Sequence, residues 1–171
     1  HLGKFEFPEL QPIIGSEKIY YYRNKLEYTF STMRWLSYED LRRYEDGEFF
    51  EQRCLGFHIP GMFDKILNIE HCWLQAAPSN DIRLFCRSYA MEHELPFYDP
   101  RERTGLLRNL IIRTASTGDR MVVLIFSDFN QQAADMMQAL ADRFPEITSL
   151  VYVVNTKMND AIFDLPFHLF K

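Results

Sequence analysis

The chain has 171 residues, a formal net charge of −5 and 47% hydrophobic residues. That length suits one domain with a sizeable core. No apolar run approaches the roughly 20 residues of a membrane span, and the acidic balance excludes a nucleic-acid binder that uses its whole surface, though not one with a local basic face.

The opening, "HLGKFEFPEL", has neither an initiator Met nor a signal-peptide pattern, so the chain reads as a piece of something longer. Pro8, Pro12 and Gly15 make an extended lead-in. Tyr20 to Phe30 reads as a strand, alternating from Lys25 onward. Arg23 and Lys25 then share a face about 7 Å apart, with Leu26, Tyr28 and Phe30 on the facing or mixed side. "STMRWLS" is expected to return as the hairpin partner of that strand. Ser37 caps a short, charge-dense and exposed helix with Glu39 and Asp40 in its first turn. "CLGFHIPGMFDKILNI" is a hairpin about Pro60-Gly61, the signature of a type II turn. "SNDIRLFCRSYAMEHEL" is a helix with Ile82, Phe85 and Tyr89 at helical spacing, ended by Pro96. "GLLRNLIIRT", "ASTGD" and "RMVVLIF" form a second hairpin. "NQQAADMMQALADRF" puts Ala133, Met136, Met137, Leu140 and Phe144 on one helical face. "SLVYVVN" is a buried strand and "AIFDLPFHLFK" a weaker terminal one. The expected fold is α+β: one domain over residues 1–171, a mostly antiparallel sheet built from hairpins, and two main amphipathic helices.

Several chemistries are missing. The seven glycines never fall as Gly-x-Gly, which removes the dinucleotide fingerprint, the P-loop and the glycine-rich cofactor loop of a doubly wound methyltransferase domain. There is no HExxH and no GxSxG. His58, His71, His93 and His168 are scattered, and Glu45, Asp46, Glu48 and Glu51 sit in a charge run that reads as solvated surface. No catalytic or cofactor-binding residue is therefore expected here. Cys54, Cys72 and Cys86, an odd number with no CxxC pair, argue against a disulfide framework and for a reducing, cytoplasmic compartment. A monomer without a membrane partner is expected.

Three stretches, "YYRNKLEYTFS", "GFHIPGMFDKILNIEHCWLQ" and "DPRERTGLLRNLIIRTASTGDRMVVLIF", occur in an order that resembles the bacterial RNA (uracil-C5) methyltransferases, most like ribosomal RNA members from the Bacteroidetes lineage. The likeness runs from "LGKFEFPEL" to "HLFK" and is weakest at Tyr38 to Arg53. It implies the central domain of a protein that also has a TRAM domain, a cysteine-rich segment and a domain binding S-adenosylmethionine. In that family a thiolate of a Ser-Cys-Asn-Pro motif adds to C6 of uracil, C5 takes the methyl group and a base removes the C5 proton. The target base leaves its stack to react, so the RNA must be held in a distorted form. None of the three cysteines here precedes Asn-Pro. The chain alone is thus expected to be inactive, with its S-adenosylmethionine site elsewhere.

By the same resemblance, Cys72 in "NIEHCWLQ" is the fourth ligand of a 4Fe-4S cluster whose other three cysteines lie in the cysteine-rich segment. From the residues alone, a single Cys after a strand is a buried small hydrophobe. No cluster is expected on this chain by itself, and Cys54 and Cys86 read as structural. Arg23 and Lys25 are RNA-binding candidates, because two cations on one strand match successive phosphates; the alternative is a solvated face that Glu27 neutralises. Arg108 and Arg113 are further RNA-binding candidates. Phe57 and His58, beside the turn, are placed to stack on a base, with core packing the simpler role for Phe57. The implied partner is ribosomal RNA before transfer RNA. A second functional class stays open: a non-catalytic domain that binds a protein through an aromatic sheet face.

Overall fold

The computed structural model describes residues 8–171. Leu2 to Phe7, where the family likeness begins, lie outside the described residues. Seven strands form one sheet in the order β3-β2-β1-β4-β5-β6-β7. They are β1 Lys25–Ser31, β2 Cys54–Ile59, β3 Met62–Asn68, β4 Leu107–Thr114, β5 Arg120–Phe126, β6 Ser149–Val154 and β7 His168–Leu169. The helices are α1 Tyr38–Glu45, α2 Ser79–Glu92 and α3 Gln131–Arg143. All neighbours pair antiparallel except β5 and β6, which are parallel and joined by α3. The fold is α+β.

Both expected hairpins are present. Gly61 has φ 79°, the conformation a type II turn needs at its second central position, and Ile59 pairs with Met62 across it. "STMRWLS" is a different matter. Both edges of β1 are taken, by β2 and β4, so residues 33–35 run beside the end of β3 instead. There Trp35 donates to the Ile66 carbonyl and Ile66 donates to that of Met33. The first strand is also shorter than expected. It begins at Lys25, and Tyr20 to Arg23 form an exposed lead-in tied to another loop: Tyr21 N donates to Trp73 O and Arg23 N to Leu74 O, both at 2.8 Å. Tyr21 has φ 56°, outside strand geometry.

α1 is the exposed excursion expected. Ser37 Oγ accepts from Asp40 N, Asp40 Oδ2 accepts from Ser37 N, and no residue of the helix is buried. The alternation of β1 sends Leu26, Tyr28 and Phe30 to the helix-covered face, with Leu110, Ile112, Val122 and Leu124 beside them. α2 and α3 close that face. α3 does so through Ala133, Met136, Met137 and Leu140, with Phe144 beyond its end. α2 uses Ile82, Cys86 and Ala90 as its seam, while Phe85 and Tyr89 flank it half-buried. Among the described residues, Ile162 and Leu165 cover one end of the opposite face, packing on Ile111, Val123, Ile125, Val151 and Val153. The row Lys25, Glu27, Thr29 of β1 lies on this second face, since it pairs with Arg113, Ile111 and Asn109 of β4.

Candidate nucleic-acid interface and cysteine site

The register of β1 and β4 sets Lys25 directly opposite Arg113. Facing side chains on paired strands have Cβ atoms about 5 Å apart, and like charges so placed destabilise the pair. Both side chains are exposed. Lys25 Nζ lies 3.4 Å from Glu27 Oε2, an exposed pair of little energetic weight. Arg113 makes no ion pair among the described residues. The two cations border a recess of about 480 Å³ that also takes in Asn24, Asp119, Met121 and Ser149. The site therefore offers two cations, hydroxyls and an amide at the open end of the sheet, groups suited to phosphate oxygens, with the Asp119 carboxylate as the one acid in the lining.

Arg23 does not share this geometry. It precedes the strand, so the two-residue repeat with Lys25 is absent, although its side chain is exposed. Arg108 departs further from expectation, because it is 2% exposed. The β4–β5 register shifts between Leu107 and Asn109, and this bulge turns Arg108 toward the loop after β6. Its guanidinium donates to the carbonyls of Asn155, Lys157 and Asn159 and to Asp160 Oδ1, and stacks 4.4 Å from the centroid of Tyr98. Arg108 is a clamp on its own protein: both terminal nitrogens are engaged and its unpartnered Nε is buried, out of reach of a phosphate at the surface. Phe57, half-buried against the core, stacks on Tyr28 at 5.0 Å, while His58 stays exposed.

Cys72 is 5% exposed and belongs to the main core. Its neighbours His71 and Trp73 are exposed, and Tyr20 and Tyr21 of the lead-in pack against Trp73 with centroids 5.4 and 5.8 Å away. Next to the thiol stand two groups the sequence did not reveal. Tyr28 is fully buried and its hydroxyl has no hydrogen-bond partner. Burial, and after it the Cys72 thiol, push the Tyr28 pKa well above its ordinary value. Arg83 of α2 is fully buried, with its Cζ 5.7 Å from the Tyr28 ring centroid. Its donors reach the carbonyls of Leu55 and Glu70 and Asn80 Oδ1. No pattern of spacing marks Tyr28 or Arg83, because a buried cation among carbonyls is visible only once β2, α2 and the loop at Glu70 have met. By contrast, burial raises the Cys54 thiol to about 12 and Cys86 higher still, which makes both inert fillers. Among the described residues no three His, Cys, Asp or Glu side chains converge on a metal position.

No family model matches the chain. It is 50% identical over 174 residues to a protein of Bacteroides thetaiotaomicron named "uncharacterized RNA methyltransferase", covering 99% of this chain and 38% of that protein. A Porphyromonas gingivalis protein of the same name is 53% identical over 168 residues, 95% of this chain and 36% of its own. A Chlorobaculum tepidum relative is 32% identical over 84% of this chain and 29% of its own length. The chain spans 29 to 38% of the length of these curated relatives. Among solved structures, the tRNA (uracil-54, C5)-methyltransferase of Pyrococcus abyssi, in complex with S-adenosyl-L-homocysteine, shares the fold. Its TM-score is 0.59 at 18% identity, over 89% of this chain and 32% of that one.

Proposed function

The chain is homologous, over nearly its whole length, to proteins named RNA methyltransferase, and from that premise we propose that it is the central domain of a longer S-adenosylmethionine-dependent enzyme that methylates C5 of a uridine in ribosomal RNA. The domain's part is to hold RNA. The observation that carries this reading is the apposition of Lys25 and Arg113: two like charges face each other across paired strands, Arg113 without an ion pair among the described residues and Lys25 offset only by its exposed contact with Glu27, and a phosphate placed there relieves their repulsion. Ribosomal rather than transfer RNA follows from the likeness of the three quoted stretches. The S-adenosylmethionine site and the attacking thiolate belong to other parts of the enzyme. Such an enzyme acts in the cytoplasm, where free thiols such as the three here persist.

Cys72 is the residue that would hold one corner of a 4Fe-4S cluster, with three thiolates from outside this chain. The surroundings fit a thiolate ligand. The unpartnered Tyr28 hydroxyl is a ready donor to sulfur, and the Arg83 guanidinium supplies nearby positive charge. Such a cluster, when bound, supplies an iron–thiolate tie between chain segments.

Against the competing reading, a protein-binding domain with an aromatic sheet face, stands the burial of Tyr28 and Phe30 of β1 beneath the helices. The test is RNA binding by the double variant Lys25→Ala, Arg113→Ala. Affinity falls evenly across sequences, because phosphates carry no base identity. The slope of log K against log salt flattens by about 0.7 to 0.9 for each lost contact. Unchanged affinity and slope in a normally folded variant overturn the reading.

A further inference from the structure

A larger groove opens on the same sheet face, beyond Thr29 along β1. It has a volume of about 920 Å³, within the range of about 300 to 1,000 Å³ of small-molecule sites. Its walls are the tip of the β2–β3 hairpin, the turn at 98–103 and the loop at 158–160. Three large apolar side chains on these walls are held out toward solvent: Phe63 is 72% exposed, Met158 71% and Met62 47%. Apolar residues so displayed around a concavity mark a binding surface.

The charge of the groove is specific. Its acids are already neutralised, Asp64 by Arg101 and Asp160 by Arg108. Arg103 is the cation that remains: it is exposed and makes no ion pair among the described residues. It is also held in place. Arg103 has φ 59°, a left-handed conformation that an L-residue adopts only at a cost of about 1 kcal/mol or more. Asp99 enforces it. The Asp99 carbonyl accepts from Arg103 N, its carboxylate accepts from the backbone N–H groups of Arg101 and Glu102, and Thr32 Oγ1 donates to the other oxygen. Backbone strain of this kind persists where the surroundings over-determine it, and it clusters at ligand sites. A fixed cation beside a rim of aromatic and thioether groups, with the Thr29 and Ser31 hydroxyls and His58 in the lining, matches a ligand with one anionic and one planar part.

We propose that this groove receives one unstacked nucleotide of single-stranded RNA, its base against Phe63 and its phosphate on Arg103. The proposal rests on the RNA-holding reading and extends it. Lys25 and Thr29 lie on one strand face, about 13 Å apart at the rise of a strand, so a single RNA strand crosses from the cationic end of the sheet into the groove. The partner is RNA rather than a protein segment because Arg103 in the groove and Arg113 at the end of the sheet, both without an ion pair among the described residues, carry the same sign, as successive phosphates require.

The experiment titrates the chain with a short single-stranded oligouridylate and with an abasic oligonucleotide of equal length. Phe63→Ala removes the stacking surface; Arg103→Asn removes the cation while keeping a residue that tolerates the left-handed backbone. Both positions are exposed, and circular dichroism confirms the fold. In Phe63→Ala, oligouridylate binding weakens about tenfold, in line with the loss of one stacked base, and abasic binding stays the same. In Arg103→Asn both ligands weaken and the salt slope flattens by about 0.7, the single-strand value for one phosphate. Wild-type oligouridylate binding in both variants, with loss only in Lys25→Ala, Arg113→Ala, overturns the groove and leaves the RNA reading standing. A groove that takes a protein segment gives that same result. If the unaltered chain binds neither oligonucleotide, both readings fall.

Discussion

At the scale of single residues, the four basic candidates divide by what surrounds each guanidinium or ammonium. Arg113 and Lys25 face water and each other, with Glu27 beside Lys25; Arg108 faces three carbonyls, a carboxylate and a tyrosine ring. Nothing in "LLRNLIIRT" separates Arg108 from Arg113, since both interrupt an apolar run. The bulge at Leu107 to Asn109 makes the difference, and a bulge has no reliable mark in sequence when it lacks glycine. The clamp carries a stability prediction. Arg108→Met fills similar space but leaves the carbonyls of Asn155, Lys157 and Asn159 without these donors, so unfolding free energy falls by roughly 3 kcal/mol, as for several buried acceptors left unpaired. Chemical denaturation measures this. A loss below about 1 kcal/mol, the worth of one ordinary hydrogen bond, shows that the loop finds other donors.

Among the elements, those with a strong local signal were legible in advance. Pro60-Gly61 announced the first hairpin because glycine alone takes φ 79° without strain. The apolar stripe of α3 announced its buried face, and Ser37 its helix start. The misread parts are those where tertiary partners decide. Tyr20 to Arg23 are aromatic enough for a strand, yet the backbone N–H groups of Tyr21 and Arg23 go to Trp73 and Leu74. "STMRWLS" looks like a return strand, yet β2 and β4 already flank β1. The parallel pairing of β5 with β6 follows from the amphipathic α3 between two apolar runs, a crossover unit embedded in an otherwise antiparallel sheet. α1 gives an element-level prediction. Its capping box is complete but it buries no residue, so Ser37→Ala costs about 1 kcal/mol of local helix stability. Hydrogen exchange of the α1 amides speeds up while that of β4 and β5 stays the same. Coupled acceleration in β4 would make α1 part of the cooperative core.

At the scale of the whole molecule, one face of the sheet is a core and the other is partly open, and the two sites use opposite sides of that division. The cations and the groove lie on the open face. Cys72 lies in the core beneath the helices, close to the lead-in, where its sulfur is screened from competing thiols. Under the proposed function the longer enzyme brings three more thiolates to that side, and the buried cation Arg83 is already in position to offset the charge they bring. Replacing Cys72 by Ser in that enzyme therefore strips one of four ligands and lowers iron content together with the visible thiolate-to-iron absorbance. Tyr28→Phe is the matched control. It keeps the ring that packs on Phe57 and removes only the unpartnered hydroxyl, so iron stays bound while the visible band and the reduction potential shift, as expected when a hydrogen bond to cluster sulfur is lost. Full iron retention in Cys72→Ser refutes the ligand assignment. An unshifted spectrum in Tyr28→Phe, with iron lost in Cys72→Ser, keeps the ligand and refutes the hydroxyl's part in tuning it.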